Sequence, residues 1–138
     1  MTTRIDISKY LNILFKDSGH DFSGVDCLGI VRLFFKNEFN FYIPEFEYES
    51  EWKIIKQNPI ENNYAAVCEK IKTPTRYGIV GFRMPGYFVE HHLGIILYDL
   101  DQFLHSPLNK PSCVSKLSHP VWKRSVNAFY KIKGLDIK

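Results

Sequence analysis

The sequence is poor in the features that identify several large classes of protein. Its 138 residues include only three cysteines, irregularly spaced, which excludes a disulfide scaffold. The formal net charge is only +3 and the basic residues are scattered, which argues against nucleic-acid binding. No apolar run approaches the roughly 18 residues that a membrane-spanning helix needs. With 45% hydrophobic and 15% aromatic residues, the composition predicts a single globular domain over residues 1–138.

One of the three cysteines stands where the sequence predicts the start of a helix. Asp26 is the predicted N-cap, because its carboxylate can accept from the unpaired amides of a first turn, and apolar residues recur at helical spacing from Leu28 to Phe35. The helix is predicted to cover residues 27–37. A helix N-terminus lowers the pKa of a thiol and so favours the reactive thiolate of Cys27. The alternative is that Cys27 is a small buried apolar residue, which is the commoner role of a lone cysteine.

Histidines in the second half of the chain favour the reactive role. Residues 87–98 are predicted to form a long strand. Side chains alternate along a strand, so His91 and His92 point to opposite faces and only one of them can face Cys27. Alternation alone leaves open which face meets the helix. Cys27, His92 and His105 could also ligate zinc, although the sequence has no Cys-x-x-Cys or His-Glu-x-x-His spacing.

A turn at residues 99–101 is predicted to return the chain as an adjacent antiparallel strand, residues 102–105. Any two-residue loop puts His92 and His105 on a common face of this hairpin. A loop centred on residues 98–99 sets them directly opposite each other. A loop centred on residues 100–101 separates them along the strand, and contact would then need a bulge or a longer loop.

These segments together resemble the NlpC/P60 family of cysteine peptidases, and more narrowly its bacteriophage tail-associated branch. The family's Asp-Cys-x-Gly motif falls on Cys27, its His-x-Gly-Ile strand falls on His92, and its third polar residue falls on His105. The resemblance implies a papain-like α+β fold in which N-terminal helices pack on a C-terminal antiparallel β-sheet. It also implies a Cys-His-His triad in which His92 is the base for Cys27 and His105 orients the imidazole, with no cofactor and no metal.

The sequence departs from the family near the nucleophile. Many members have an upstream tyrosine that is thought to help hold the oxyanion, and Phe15, whose ring cannot donate a hydrogen bond, stands at that place. The residue after the nucleophile is commonly serine or tryptophan in relatives but is Leu28 here. Asp26, Phe15 and Leu28 are therefore the candidate substrate-binding residues. The spacing from His92 to His105 is one residue longer than usual, which bears on the register of the hairpin.

The family implies that the partner is a peptidoglycan stem peptide, cut beside a γ-linked D-glutamate by an endopeptidase that acts on the γ-D-glutamyl-diamino acid bond. The N-terminus lacks a basic region followed by an apolar run, so no secretory signal is expected. We therefore expect synthesis in the cytoplasm or delivery to the wall within a phage tail, with tail proteins as further partners. Two alternatives stay open: a tail-assembly or structural protein with little activity, and a related thiol acyltransferase or amidase.

The remaining segments are predicted from periodicity and from residues that break regular structure. An amphipathic helix is predicted over residues 5–15 and a third helix over residues 61–72. The aromatic and acidic stretch 39–52 contains a proline that prevents a regular helix, and it is expected to be a loop that lines the cleft. From residue 79 onward, short β-rich runs separated by Pro, Gly and Asp predict the antiparallel sheet.

Overall fold

The computed structural model describes residues 3–44, residue 60 and residues 64–137. One helix of eleven residues dominates the first half, and most strands lie in the second half. The helices are α1 (Gly29–Phe39), α2 (Ala65–Val67) and α3 (Pro120–Lys123). The strands are β1 (His20–Asp21), β2 (Gly24–Val25), β3 (Cys68–Ile71), β4 (Ile79–Phe82), β5 (His92–Ile96), β6 (Gln102–His105), β7 (Cys113–Lys116) and β8 (Val126–Ile132).

Six of the strands form one antiparallel sheet in the order β3-β8-β4-β5-β6-β7. Strands β4 to β7 follow one another as neighbours, whereas the C-terminal strand β8 inserts between β3 and β4. The remaining two strands, β1 and β2, form a small antiparallel ladder just before α1. This ladder brings the segment before Cys27 into contact with the helix that follows it.

The two faces of the sheet have separate apolar cores, as alternation along each strand requires. Leu93 and Ile95 of β5 belong to the larger core, together with α1 residues such as Ile30 and Phe34. The opposite face is covered by a smaller core of Val80, Phe82, Ile96 and Phe103, against which Trp122 of α3 packs. His92 and Ile96 lie on the other face of β5, away from the α1 core, so Cys27 meets the strand at its beginning, through the His91 carbonyl, and not across the face on which α1 packs.

The prediction of a helix over residues 5–15 is wrong. Only Ser8–Tyr10 forms a single 3₁₀ turn, and Asn12 has a left-handed φ of 62°. Ser112 replaces the helical hydrogen-bond partners: its hydroxyl donates to the Tyr10 carbonyl oxygen, its carbonyl accepts from Asn12 N, and its own N donates to the Ile13 carbonyl. A distant loop therefore supplies the hydrogen bonds of this segment. The segment is not helical, although its apolar residues have helical spacing.

The prediction of a helix over residues 61–72 is also wrong across its second half. Residues 61–63 lie outside the described residues, α2 covers only Ala65–Val67, and Cys68–Ile71 is strand β3. This strand pairs with β8, with Cys68 opposite Ile132 and Ile71 opposite Phe129. Sheet pairing thus overrides a short helical pattern, as tertiary context commonly does.

The predicted strand over residues 87–98 is shorter, since β5 covers only His92–Ile96. The preceding segment turns on itself, and the Tyr87 ring stacks on the His91 ring with centroids 3.7 Å apart. His91 N donates to the Phe82 carbonyl and continues the pairing with β4 for one residue.

In the predicted loop 39–52, residue 39 ends α1 and residues 40–44 are irregular, while residues 45–52 lie outside the described residues. Among the helices that are described, none has the length and apolar character to span a bilayer.

Candidate active site at the start of α1 and β5

Cys27 lies in the turn that directly precedes α1, where the Asp26 carboxylate caps the backbone. One carboxylate oxygen of Asp26, Oδ1, accepts from Gly29 N at 2.7 Å and from Leu28 N at 3.1 Å. The Asp26 carbonyl accepts from Ile30 N at 3.0 Å, as the carbonyl of an N-cap residue does. The Asp26 carboxylate therefore binds backbone amides as predicted, but α1 covers Gly29–Phe39 and begins two residues later than predicted, with Leu28 as its N-cap residue.

The loop before β1 holds this cap in place. Ser18 N donates to Asp26 Oδ2 at 2.9 Å, and Asp26 N donates to the Gly19 carbonyl at 3.2 Å. Gly29 has to be glycine because the Gly19 backbone occupies the space of a side chain. A Cβ at residue 29 would lie 1.6 Å from the Gly19 carbonyl oxygen. The glycine two residues after Cys27 thus allows the loop to approach the helix N-terminus.

The Cys27 side chain contacts the beginning of β5. Its Sγ lies 3.8 Å from the carbonyl oxygen of His91, the residue that directly precedes His92. Cys27 exposes only 3% of its surface. The cysteine at the start of the helix and the His-x-Gly-Ile strand are therefore neighbours in the fold, although 64 residues separate Cys27 from His91 in sequence.

The two predicted histidines are in direct contact. His92 Nε2 lies 2.8 Å from His105 Nδ1, within the range of a good hydrogen bond. The register explains the contact: Ile95 pairs with Leu104 and Ile96 with Phe103, so His105 lies beside Gly94 and diagonally across from His92. The loop comprises residues 98–101, because Leu97 N donates to the Gln102 carbonyl. The register thus lies between the two that the sequence allowed, and it keeps both histidines on one face.

Burial keeps His105 neutral. The residue has no exposed surface, and burial lowers the pKa of its imidazole to about 3, because the charged form loses its hydration. His92 is 4% exposed. Trp122 covers the pair, since its ring lies nearly parallel to that of His92 at 5.5 Å and edge-on to that of His105 at 5.0 Å.

His105 has a second polar contact that the sequence analysis missed. Its Nε2 lies 2.8 Å from Ser115 Oγ and 3.6 Å from Cys113 Sγ, both on β7. Ser115 and Trp122 also line a cavity of about 360 Å³, together with Lys116, Ser118 and His119. No local motif marks these residues, because the pairing of β6 with β7 brings them to the histidines. Alternation along β7, once paired, would place Cys113 and Ser115 on a common face.

Tyr64 is a further neighbour of Cys27 that the sequence analysis assigned to a helical pattern. Its hydroxyl donates to the Leu28 carbonyl at 2.9 Å. Burial raises the pKa of the Tyr64 phenol well above its usual value, and negative charge on Cys27 and Asp26 raises it further. A neutral phenol therefore lies beside the nucleophile candidate.

The other two candidate substrate-binding residues lie on either side of Cys27 in the chain. Phe15 is half-buried and forms a parallel β-bridge with Val25, two residues before Cys27. Leu28 is 1% exposed and packs in the larger core. Within the described part of the chain, no group of three or more His, Cys, Asp or Glu side chains is arranged to hold a metal ion.

Comparison with solved structures identifies the fold. The chain superposes on the NlpC/P60 domain of the peptidoglycan hydrolase SagA with a TM-score of 0.59 and 19% identity, covering 89% of each chain. An NlpC/P60 family protein from Bacillus cereus gives a TM-score of 0.61 at 16% identity, over 87% of this chain and 35% of that one. A protein similar to lipoproteins of the NLP/P60 family, from Staphylococcus aureus, gives 0.65 at 14% identity, over 95% of this chain and 43% of that one. The chain therefore spans less than half the length of the last two.

No protein-family model matches the sequence, and no curated protein is detectably similar to it. The likeness at 14–19% identity shows the fold and not the activity. The fold is α+β and papain-like, of the NlpC/P60 type, with the six-stranded antiparallel sheet that the resemblance implied.

Proposed function

We propose that this chain is a cysteine peptidase that hydrolyses peptidoglycan stem peptides, with Cys27 as nucleophile, His92 as base and His105 as the residue that orients His92. The observation that carries the proposal is the His92–His105 hydrogen bond on β5 and β6, next to the point where Cys27 meets the start of β5. The shared fold with the NlpC/P60 domain of a peptidoglycan hydrolase supports the substrate class.

The first half of the proposed reaction makes an acyl-enzyme. His92 takes the Sγ proton of Cys27, and the thiolate attacks the carbonyl carbon of the scissile amide. The tetrahedral intermediate collapses, the C–N bond breaks, and the imidazolium of His92 gives its proton to the departing amine. A thioester remains on Cys27. The α1 N-terminus stabilises the thiolate through its partial positive charge, within the geometry that the Asp26 cap fixes.

The second half restores the enzyme. Neutral His92 accepts a proton from water as the water attacks the thioester carbonyl, the C–S bond breaks, and Cys27 recovers a proton from His92. The product is a free carboxylate. His105, which is neutral above about pH 3, contributes orientation through its hydrogen bond and adds no charge to the site.

The proposed bond is the one between γ-D-glutamate and the diamino acid of the stem peptide, as the resemblance implies. Phe15 occupies the place where family members position an oxyanion donor. Leu28 N and Gly29 N donate to Asp26 Oδ1, so the backbone amide proposed for this role is that of Cys27. Asp26 contributes by holding the turn that contains Cys27 in position, Leu28 is buried in the larger core, and Phe15 is the proposed neighbour of the substrate. We further propose that the protein acts as part of a phage or prophage tail, where other tail proteins are its partners.

Purified muropeptides with and without the diamino acid test the proposal. We expect hydrolysis to yield a new α-amine on the diamino acid and a new γ-carboxylate on the D-glutamate, which mass spectrometry detects as two fragments, and we expect no product with Cys27→Ala. Cys68→Ala is the matched control because Cys68 lies on β3, and it should keep the activity. Full activity in Cys27→Ala, or no cleavage of any muropeptide, contradicts the proposal.

Phe15 favours a second candidate, a tail-assembly protein that keeps the fold with little activity. Loss of one oxyanion donor costs about 100-fold to 1,000-fold in rate, enough to abolish a useful peptidase. Under this alternative, muropeptides stay intact and Cys27→Ala leaves assembly of phage particles unchanged. A thiol acyltransferase or amidase would be recognised by transfer of the acyl group to an added amine, or by cleavage of a different amide, with the same dependence on Cys27.

A further inference from the structure

We propose that Ser115 is a positioning residue that selects the tautomer of the His92–His105 pair required for proton transfer from Cys27. This inference rests on the proposed function for its catalytic consequence, while the tautomer itself can be measured without any activity. Three polar side chains form a continuous series: His92 Nε2 lies 2.8 Å from His105 Nδ1, and His105 Nε2 lies 2.8 Å from Ser115 Oγ.

A neutral imidazole has one nitrogen that donates and one that accepts. His105 has no exposed surface, and burial disfavours its charged form. Both of its nitrogens have a polar neighbour, so the hydrogen bond at one nitrogen decides the role of the other. The direction of the Ser115 contact is therefore transmitted through His105 to His92.

Two arrangements satisfy this series. In the first, His105 Nε2–H donates to Ser115 Oγ, so His105 Nδ1 accepts from His92 Nε2–H, and the Nδ1 lone pair of His92 is available as a base. In the second, the Ser115 hydroxyl donates to His105 Nε2, so His105 Nδ1–H donates to His92 Nε2, and a neutral His92 then has its proton on Nδ1. Only the first arrangement leaves His92 able to accept the Cys27 proton at Nδ1.

The surroundings of Ser115 favour the first arrangement. The Ser115 side chain lines the 360 Å³ cavity, so its hydroxyl proton can be donated toward solvent while its oxygen accepts from His105. A hydroxyl that accepts one hydrogen bond and donates another is fully satisfied. Cys113 Sγ, at 3.6 Å from His105 Nε2, is a weaker acceptor and replaces the hydroxyl only in part.

The test compares Ser115→Ala with Ser115→Thr, which keeps the hydroxyl, and with Ser118→Ala. Ser118 lines the same cavity but bonds to Asp101, at 2.7 Å, so it is the matched control. The first readout is the ¹⁵N NMR spectrum of the imidazoles in the whole protein. In wild type, in Ser115→Thr and in Ser118→Ala, we expect His105 and His92 to have their proton predominantly on Nε2. In Ser115→Ala we expect a mixture of the two tautomers. If Ser115→Ala does not fold, Ser115→Cys, whose sulfur is only a weak acceptor, gives the same comparison.

The second readout is muropeptide hydrolysis. One hydrogen bond of ordinary strength corresponds to about a 3-fold to 10-fold loss, which should appear in kcat with KM unchanged for Ser115→Ala and be restored in Ser115→Thr. An unchanged tautomer signature in Ser115→Ala overturns the inference. If the tautomer signature shifts in Ser115→Ala but the wild-type protein cleaves no muropeptide, the proposed function is overturned and the positioning role of Ser115 stands.

Discussion

The carbonyl oxygen of Gly19 lies against the α-carbon of Gly29, in the space that a side chain at residue 29 would occupy. The same carbonyl accepts from Asp26 N, so one backbone atom joins the loop, the cap and the first turn of α1. The glycine of the Asp-Cys-x-Gly motif is therefore a requirement of packing at the helix N-terminus.

Gly29→Ala should destabilise the protein by about 3 kcal/mol, because the added methyl group meets backbone that cannot move without breaking the Gly19–Asp26 hydrogen bond. Urea unfolding measures the change. Lys36→Ala, at an exposed position of the same helix, should change the free energy of unfolding by less than about 0.5 kcal/mol. Equal stability of the two variants would contradict the packing argument.

Removal of the Asp26 cap should also be costly. Asp26→Ala leaves three backbone amides of the Ser18 loop and the α1 first turn without their acceptor, and we expect a loss of about 1–2 kcal/mol. Asp26→Asn keeps one side-chain oxygen and should lose less. Asp21→Ala is a suitable control, since the exposed Asp21 carboxylate accepts from Ser23 N and Ser23 Oγ, within its own turn. The prediction fails if Asp21→Ala and Asp26→Ala melt at the same urea concentration.

Alkylation should distinguish the cysteines. Burial raises the pKa of the Cys68 thiol to about 12, so it is protonated near neutral pH and should resist iodoacetamide in the folded protein. Cys27, activated by the helix N-terminus and His92, should react much faster than Cys68, and His92→Ala should slow its reaction about 10-fold or more. Peptide mass spectrometry after timed labelling reports each site separately. If His92→Ala leaves the alkylation rate of Cys27 unchanged, His92 is not the base for Cys27.

The protein should lose stability in mild acid. The folded-state pKa of His105 is about 3, below the value of about 6.5 expected in the unfolded chain, so the unfolded state binds more protons between these values. The contribution of neutral His105 to the free energy of unfolding is complete above about pH 6.5. It decreases as the pH falls, by up to about 2 kcal/mol at pH 5. Urea unfolding at pH 7.5 and pH 5 measures this decrease. His105→Asn should be less stable at pH 7.5 but should lack this part of the pH dependence.

Phe15→Tyr offers a gain-of-function test at the position of the family's upstream tyrosine. Phe15 is bridged to Val25, close in sequence to Cys27, and a tyrosine there adds a donor that the phenyl ring lacks. We expect muropeptide cleavage to increase about 10-fold or more, toward the range that one oxyanion donor contributes. Steady-state kinetics with wild type and Phe15→Tyr measure the increase. A decrease in kcat with unchanged stability would mean that the added hydroxyl does not reach the oxyanion.

Local signals in the sequence identified the start of α1 and the strand that carries His92. Asp26 as a cap and the apolar spacing after Cys27 are properties of neighbouring residues, so they could be predicted without knowledge of the rest of the chain. The common face of His92 and His105 followed from the period of a hairpin. The register did not, since it depends on a four-residue loop whose length the turn residues alone do not fix.

Distant partners explain the failures. The N-terminal segment has helical apolar spacing, but Ser112 supplies its hydrogen bonds from about a hundred residues away. Residues 68–71 pair with β8, which again lies far along the chain. Ser115 and Trp122 reach the histidines only through tertiary packing, so no short pattern could have revealed them.

The position of β8 has a consequence for synthesis on the ribosome. Because this last strand lies between β3 and β4, both of those earlier strands have an unpaired edge until residue 132 has emerged. Exposed strand edges invite association with other chains. Productive folding of the nascent polypeptide therefore has to wait for β8, and slow translation of the codons for residues 126–132 should increase aggregation.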